Sequence, residues 1–338
     1  MLKLSFILPC YNVAPYIGRC IESIENQDIP QSEYEVICVD DCSTDDTVRK
    51  IKEYQAKYPN IQLICHTENK TAGGARNTGM DVARGEYLWF VDPDDAIVEN
   101  VLGDLSKQID RLKVDILFFN YNYLDEEGKA HAIRQFDGEY DMLNGQDFFL
   151  TYCEKKRLAE ITSVWREVFS ATYIKDNNIR YPEIKSSQDV VFAWHAYLVA
   201  QKVTAIDMIV YDHIRRPSST TGSKGKYKTN NVISTSLLYV DEIMQLNRKI
   251  MMQERFHSDL LFSCRDSLNT DSRNVFKMLL SEQFVFHREI QKYADLINQY
   301  KNLMNRKTNV IFNYRLPYVI WQLMMWMYML KNNFKKMK

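Results

Sequence analysis

The stretch "YLWFVDPDD", Tyr87–Asp95, decides the fold and raises the question of what its carboxylates do. Five consecutive apolar or aromatic residues lead directly into three aspartates within four positions. A short apolar run that ends in proline and aspartate predicts a buried strand stopping at a polar edge. Like charges this close repel one another. The sequence therefore predicts that a positive group meets these carboxylates or that the turn leaves them in water.

Strands and helices alternate through the first 120 residues. Helical patterns separate the predicted strands, which are "LKLSFIL", "YEVICVDD", "IQLICH", "EYLWFV" and "VDILFFNY". The second helix is predicted to start at a Ser43/Thr44 cap. This alternation implies parallel pairing with right-handed crossovers, so we predict an α/β fold with a mostly parallel central sheet flanked by helices. The motifs "PCYN", "DDCS" and "DPDD" follow three of the strands and describe one crevice edge, where such sheets bind ligands.

Composition excludes several classes of protein. A chain of 338 residues with 46% hydrophobic residues can fill a core, which argues against global disorder. A net charge of -1 argues against a nucleic-acid binder. Seven scattered cysteines without a CxxC pair favour reduced thiols in the cytosol. The apolar run at the start is too short for a signal peptide, and no uninterrupted apolar run is long enough for a spanning helix.

Three motifs could carry chemistry, and the first two also have a structural interpretation. Asp92 and Asp94 flank Pro93, a spacing that can place two carboxylates near one Mg²⁺ or Mn²⁺, although an acidic turn capping the next helix would look the same. Asp41, in "VDDCSTDD", can accept hydrogen bonds from a base or ribose, or it can cap a helix. In "NKTAGGARNTGM", the two glycines permit close approach and Arg76 could face phosphate or base. The chain has neither GxGxxG nor GxxxxGKS, which excludes the standard dinucleotide and P-loop motifs.

Together, "PCYN", "VDDCSTDD", "GARNTG" and "VDPDD" resemble the motifs of family-two glycosyltransferases, which have the GT-A fold. The resemblance is close over residues 3–100 and looser over 100–220. Cys42 stands where the family usually has glycine. The resemblance implies a nucleotide-sugar pocket lined by Pro9 and Tyr11. It further implies roles for four charged residues: Asp41 at the base, Arg76 nearby, Asp92 at the ribose and Asp94 holding Mn²⁺ or Mg²⁺ against the diphosphate.

The same resemblance implies a catalytic base in "SSQDVVFAWHAYL". Asp189 matches the family's base at a helix start, where the helix N-terminus would keep it ionised. Gln188 replaces the usual glutamate, and Asp189 as a simple helix cap remains the alternative. Glu183 and His195 are weaker candidates. On the acceptor side, the resemblance suggests Trp165, which could equally be a core residue.

The "VYDHIRRPSSTTGS" segment matches a family segment that folds over the donor phosphates. The matching positions are Tyr211, Arg215 or Arg216, and Ser219, and the two adjacent arginines leave the register open. A cation on a mobile loop would suit a lid over a diphosphate. A solvated basic loop is the alternative.

The sequence predicts three regions. Residues 1–220 would form the GT-A domain, with a nucleotide-binding half at 1–100 and an acceptor half at 100–220, and 221–304 a helical extension. Residues 305–338 would form a basic amphipathic helix. From Lys301 onward there are eight basic residues and no acidic one, and the run from Leu316 to Leu330 is almost wholly apolar. This composition favours a helix lying on an anionic membrane surface, with an oligomer contact as the alternative.

These expectations combine into an inverting, metal-dependent glycosyltransferase at the cytoplasmic face of the cell membrane. Its partners would be a nucleotide-diphosphate sugar and a saccharide or lipid-linked saccharide of a surface polysaccharide. We expect no nucleic-acid partner, and the C-terminal helices could form a homo-oligomer. Two alternatives stay open. A degenerate, non-catalytic GT-A protein would bind a nucleotide or partner. A nucleotidyltransferase would need a glycine-rich loop after the first strand, and "LPCYNVAPYIGRC" is not one.

Overall fold

The computed structural model describes most of residues 2–214, all within the first of two compact units, residues 1–224. The described ranges are 2–125, 127–138, 140–148, 151, 163–184 and 188–214. The predicted extension 221–304, the predicted helix 305–338 and the predicted lid residues Arg215, Arg216 and Ser219 lie outside them, whereas Tyr211 lies within them. Within these ranges, none of the helices combines the length and the apolar character needed to cross a membrane.

The first four strands form the parallel part of the sheet, in the order β3-β2-β1-β4. They are β1 (Leu4–Cys10), β2 (Tyr34–Asp40), β3 (Ile61–Cys65) and β4 (Tyr87–Phe90). The helices between them are α1 (Ile17–Glu25), α2 (Thr47–Lys57) and α3 (Thr71–Val82). Every residue of β1 and β2 is buried, as expected of parallel strands covered on both faces. The predicted strand–helix alternation is confirmed here, and the three polar motifs follow strands at one edge.

Beyond β4 the sheet becomes mixed. The further strands are β5 (Ala96–Ile97), β6 (Ile116–Leu124), β7 (Ala130–Ile133), β8 (Glu167–Ser170) and β9 (Val203–Ile214). The further helices are α4 (Leu102–Leu112), α5 (Gly145–Phe148), α6 (Ala171–Asp176) and α7 (Gln188–Val199). β8 lies antiparallel between β4 and β6, whereas β9 is parallel to β6 and antiparallel to β5. The α/β class is confirmed, and its parallel character is concentrated in the first half because the regular alternation ends after α4.

The loops after β1 and β2 are fastened to each other by side chains of their own motifs. The amide N–H of Asn12 donates to Ser43 Oγ (2.9 Å), and the amide of Thr44 donates back to Asn12 Oδ1 (2.8 Å). The amide of Ala14 donates to Asp45 Oδ2 (3.1 Å). Because residues 43–45 bind the first loop, the predicted helix start at Ser43 or Thr44 is wrong, and α2 begins at Thr47.

The backbone at Cys42 explains why glycine is usual at this position. Its φ is +66°, in the left-handed region that glycine enters without a steric penalty. The Cys42 thiol donates to the backbone oxygen of His66 (3.2 Å), which partly offsets the strain. The loop therefore has the backbone conformation that favours glycine, although cysteine occupies the position.

We expect Cys42→Gly to raise the free energy of unfolding by up to about 1 kcal/mol, because it removes the left-handed strain. Cys42→Val should lower it by at least about 1 kcal/mol, because a β-branched residue tolerates positive φ poorly. Urea unfolding measures both changes. Cys42→Ala is the control for loss of the thiol contact, and equal stability of the glycine and valine variants would contradict the strained backbone.

Candidate active site

The positive group that meets the aspartates is Arg76. This side chain lies on α3, only 4% exposed, with its guanidinium between two carboxylates. Nη2 donates to Asp92 Oδ1 (2.8 Å) and Nη1 donates to Asp189 Oδ1 (2.7 Å). The Tyr181 ring lies 5.3 Å from the guanidinium carbon, a cation–π distance. Three residues predicted separately as site residues are therefore brought into direct contact.

Burial and charge act in opposite directions on this cluster. Burial lowers the pKa of Arg76, but the charges of Asp189 and Asp92 outweigh it and raise that pKa above its ordinary value. For Asp189, desolvation raises the pKa, the Arg76 charge lowers it, and the Asp92 charge raises it, with a net upward shift. The Asp189 side chain is nevertheless 39% exposed, so a ligand can reach it. A carboxylate with a raised pKa is a stronger proton acceptor than an ordinary aspartate.

Asp95, the third aspartate, has a structural role that the sequence did not reveal. It is almost fully buried, and its Oδ2 accepts a hydrogen bond from the Tyr211 hydroxyl (2.9 Å) and faces His213 Nδ1 (3.2 Å). Its Oδ1 accepts from the amide of Ile214 (2.8 Å). The Tyr211 hydroxyl in turn accepts from the amide of Asp92 (3.1 Å). Asp95 therefore fastens the aspartate turn to the end of β9.

Asp41 is buried after β2 and is held by two groups. Its Oδ1 accepts from the amide of Lys70 (2.7 Å) and faces His66 Nδ1 (2.8 Å). On its other side, His66 Nε2 lies 2.9 Å from Thr78 Oγ1 on α3. His66 and Thr78 were not predicted as site residues. The sequence feature that could have indicated His66 is its position directly after the third predicted strand, at the sheet edge where the other polar motifs lie.

The remaining predicted residues lie around this cluster. Pro9 is buried in β1, and Tyr11, directly after β1, is 51% exposed. Asp94 is half-buried, and its backbone oxygen accepts from Arg19 Nη2 (2.6 Å). Trp165 is half-buried, and its ring stacks on Tyr211 at a centroid distance of 4.7 Å. Trp165 therefore joins the aromatic cluster that supports the aspartate turn.

The turn can contribute to a metal site only together with a ligand. Among the described residues, no group of three His, Cys, Asp or Glu side chains could hold an ion. Mg²⁺ is usually bound by one or two carboxylates, with waters and substrate phosphates completing its shell. Asp94, a half-buried carboxylate at the sheet edge, fits that kind of partial site.

Comparison with known proteins identifies the family. Residues 5–163 match the model described as "Glycosyl transferase family 2". This part of the chain belongs to that family. The resemblance carried by the four motifs is confirmed, and the matched region contains the aspartate turn, Arg76 and the fastened loops.

Two curated family relatives are poly(ribitol-phosphate) transferases. The chain is 29% identical over 248 residues to the poly(ribitol-phosphate) beta-N-acetylglucosaminyltransferase TarS of Staphylococcus aureus strain MW2, covering 73% of this chain and 40% of TarS. It is 32% identical over 206 residues to the poly(ribitol-phosphate) beta-glucosyltransferase of Bacillus spizizenii, covering 60% of this chain and 31% of that relative. The chain thus spans less than half the length of either relative.

A solved structure shows the same fold. The crystal structure of S. aureus TarS 1-349 in complex with UDP-GlcNAc matches with a TM-score of 0.69 and 23% identity. The match covers 93% of this chain and 87% of that one. The predicted GT-A fold is confirmed.

We expect Tyr211→Phe to lower the free energy of unfolding by about 1–3 kcal/mol, because buried Asp95 loses a donor. The amide of Asp92 should also exchange its hydrogen faster, since its acceptor is gone. Denaturant unfolding and amide hydrogen exchange measure these two effects.

The matched control is Tyr197→Phe, which removes a hydroxyl that donates to another buried carboxylate, Glu167 (2.7 Å). It should destabilise the domain without changing exchange at Asp92. Faster exchange at Asp92 in both variants, or in neither, would show that Tyr211 does not fasten the turn.

Proposed function

We propose that this protein transfers a sugar from a nucleotide-diphosphate donor to an acceptor hydroxyl, with inversion at the anomeric carbon. The observation that supports this most directly is the placement of Asp189: a reachable carboxylate with a raised pKa, tied through Arg76 to the aspartate turn of a family 2 domain. A base beside the donor site is what direct displacement by a hydroxyl requires.

In the proposed reaction, Asp189 accepts the proton of the acceptor hydroxyl. The acceptor oxygen forms a bond to the anomeric carbon from the side opposite the diphosphate. The bond between that carbon and the diphosphate oxygen breaks, and its electron pair leaves with the nucleoside diphosphate. Because attack and departure take place on opposite faces, the configuration inverts.

The other site residues would bind the donor. Asp41, fixed by His66 and Lys70, would accept hydrogen bonds from the base, with Pro9 and Tyr11 lining the same pocket. Asp92 would contact the ribose. Arg215 or Arg216 and Ser219 would close over the phosphates, and Trp165 would lie on the acceptor side.

Asp94 would hold Mn²⁺ or Mg²⁺. When bound, the ion supplies positive charge that stabilises the departing diphosphate. The protein's contribution is to fix the turn, through Arg19 at the Asp94 backbone oxygen and through Asp95 at the end of β9.

The named relatives suggest donor and acceptor classes. They transfer N-acetylglucosamine and glucose to poly(ribitol-phosphate), and TarS has been crystallised with UDP-GlcNAc. We therefore propose UDP-GlcNAc or UDP-glucose as donor and a polyol-phosphate or lipid-linked saccharide of a cell-surface polymer as acceptor. The proposed setting is the cytoplasmic face of the membrane, with residues 305–338 binding anionic lipid or a second subunit.

The position of Gln188 is compatible with an active site. Its side chain is buried against Gly73 of α3, so its substitution for glutamate leaves the neighbouring Asp189 available. This packing favours the enzyme over the non-catalytic alternative.

We expect Asp189→Asn to lower the rate of transfer from UDP-GlcNAc or UDP-glucose to poly(ribitol-phosphate) by about 100-fold or more, with donor binding retained. Release of UDP measures the rate, and calorimetry measures binding. Glu183→Gln, at the exposed carboxylate six positions before Asp189, tests the weaker candidate for the base and should transfer sugar close to the rate of the unchanged protein. Undiminished transfer by Asp189→Asn would reject the assigned base.

We expect Mn²⁺ to increase the thermal stabilisation that UDP-GlcNAc produces. Saturation at a hundred times the dissociation constant contributes about 2.7 kcal/mol to the free energy of unfolding. Asp94→Asn should lose the Mn²⁺-dependent part and keep the part due to nucleotide alone. If Mn²⁺ gives the same increment in Asp94→Asn, the ion is held elsewhere.

A further inference from the structure

Helix α3 makes three consecutive contacts with the segment that carries Asp189. Gly73, Arg76 and Asn77 lie within about one turn of each other and face residues between Tyr181 and Asp189, more than 100 positions further along the chain. All three belong to the "GGARN" motif, which the sequence alone assigned to the donor side.

At the first contact, Gly73 leaves space for Gln188. A Cβ atom at Gly73 would lie 2.1 Å from Gln188 Oε1 and 3.0 Å from Tyr181 Cβ, so a larger residue would force the Gln188 side chain to move. The hydroxyl of Thr71 donates to the same Oε1 at 3.4 Å. The first residue of α7 is therefore seated directly on α3.

At the second contact, Asn77 pairs with the backbone of Tyr181. Its Nδ2 donates to the Tyr181 oxygen (2.9 Å), and its Oδ1 accepts from the Tyr181 amide (3.0 Å). The Tyr181 ring stacks on Phe192 of α7 at a centroid distance of 4.1 Å. Asn77 thereby fixes the backbone of Tyr181, whose ring packs on α7.

At the third contact, Arg76 reaches the carboxylate itself. Its guanidinium donates to both Asp92, on the proposed donor side, and Asp189. The Nε atom is buried and has no hydrogen-bond partner among the described residues. Among the described residues, these two carboxylates are the hydrogen-bond partners of the guanidinium, so they set its orientation.

We propose that the "GGARN" segment positions the catalytic base, with Arg76 as the positioning residue that orients Asp189 and couples it to Asp92. The inference deepens the proposed function and rests on Asp189 being the base. It assigns the motif to the proton-transfer side of the site.

The charged and titratable groups facing Asp189 are Arg76 on α3, Asp92 on the turn after β4 and Tyr181 before α7. Arg76 stabilises the carboxylate form, so removing its charge should raise the pKa of Asp189. Asp92 destabilises that form, so removing its charge should lower it. Because the base acts when deprotonated, the acid limb of the pH–rate profile should follow the pKa in both cases.

The test compares Arg76→Gln with Asp92→Asn. We expect the acid limb of kcat, at saturating UDP-GlcNAc, to move to higher pH by about one unit or more in Arg76→Gln and to lower pH in Asp92→Asn. Arg76→Lys keeps the charge and should move the limb less than Arg76→Gln. If Arg76→Gln fails to fold, the other two variants still test the inference. A shift of the acid limb to lower pH in Asp92→Asn, with a small shift in Arg76→Lys, would support it.

The matched control is Arg84→Lys, at an arginine that pairs with a buried carboxylate, Glu35 (2.7 Å), at the opposite ends of the strands. It should leave the pH profile unchanged. An acid limb that stays in place in every Arg76 and Asp92 variant would overturn the inference.

A second measurement needs no substrate. The carboxyl ¹³C resonance of Asp189, assigned by its loss in Asp189→Asn, should titrate at higher pH in the Arg76 variants and at lower pH in Asp92→Asn. If the unchanged protein transfers no sugar but these shifts occur, the proposed function fails while the coupling stands. If transfer occurs and the resonance does not shift, the positioning role fails while the proposed function stands.

Discussion

A buried arginine shared by two aspartates is the interaction on which the site depends. Removing a guanidinium from water is costly, and that cost is offset only when charged partners satisfy it in good geometry. Arg76 finds one partner at the end of β4 and the other at the start of α7. The cluster therefore joins the parallel first half of the domain to its mixed second half. The aspartate turn and the proposed base cannot move apart without leaving an unpaired charge.

The sequence predicted the parallel strands and the edge at which their polar motifs meet. Apolar runs such as "LKLSFIL" and "EYLWFV" identify buried strands, and parallel strands necessarily present their carboxyl ends at one edge. The resemblance to the family marked Cys42 as unusual, and the structure shows the left-handed backbone that favours glycine there. The strands and their shared edge depend on the local pattern of apolar residues, which a single sequence contains.

The pairing of side chains could not be read in the same way. Arg76 and Asp189 are 113 positions apart, and nothing in their spacing says that they touch. The three aspartates after β4 are chemically identical in the sequence, but Asp92 binds arginine and Asp95 binds the end of β9. The antiparallel insertion of β8 between β4 and β6 creates these neighbourhoods. It follows from tertiary packing rather than from local preference.

The hydrogen bonds of Asp95 have a consequence for how distant substitutions act on the site. They tie the residue that follows Asp94 to Tyr211 and to the backbone of Ile214, so a displacement of β9 is transmitted to the aspartate turn. A substitution in β9 can therefore change the position of Asp94 without touching that carboxylate.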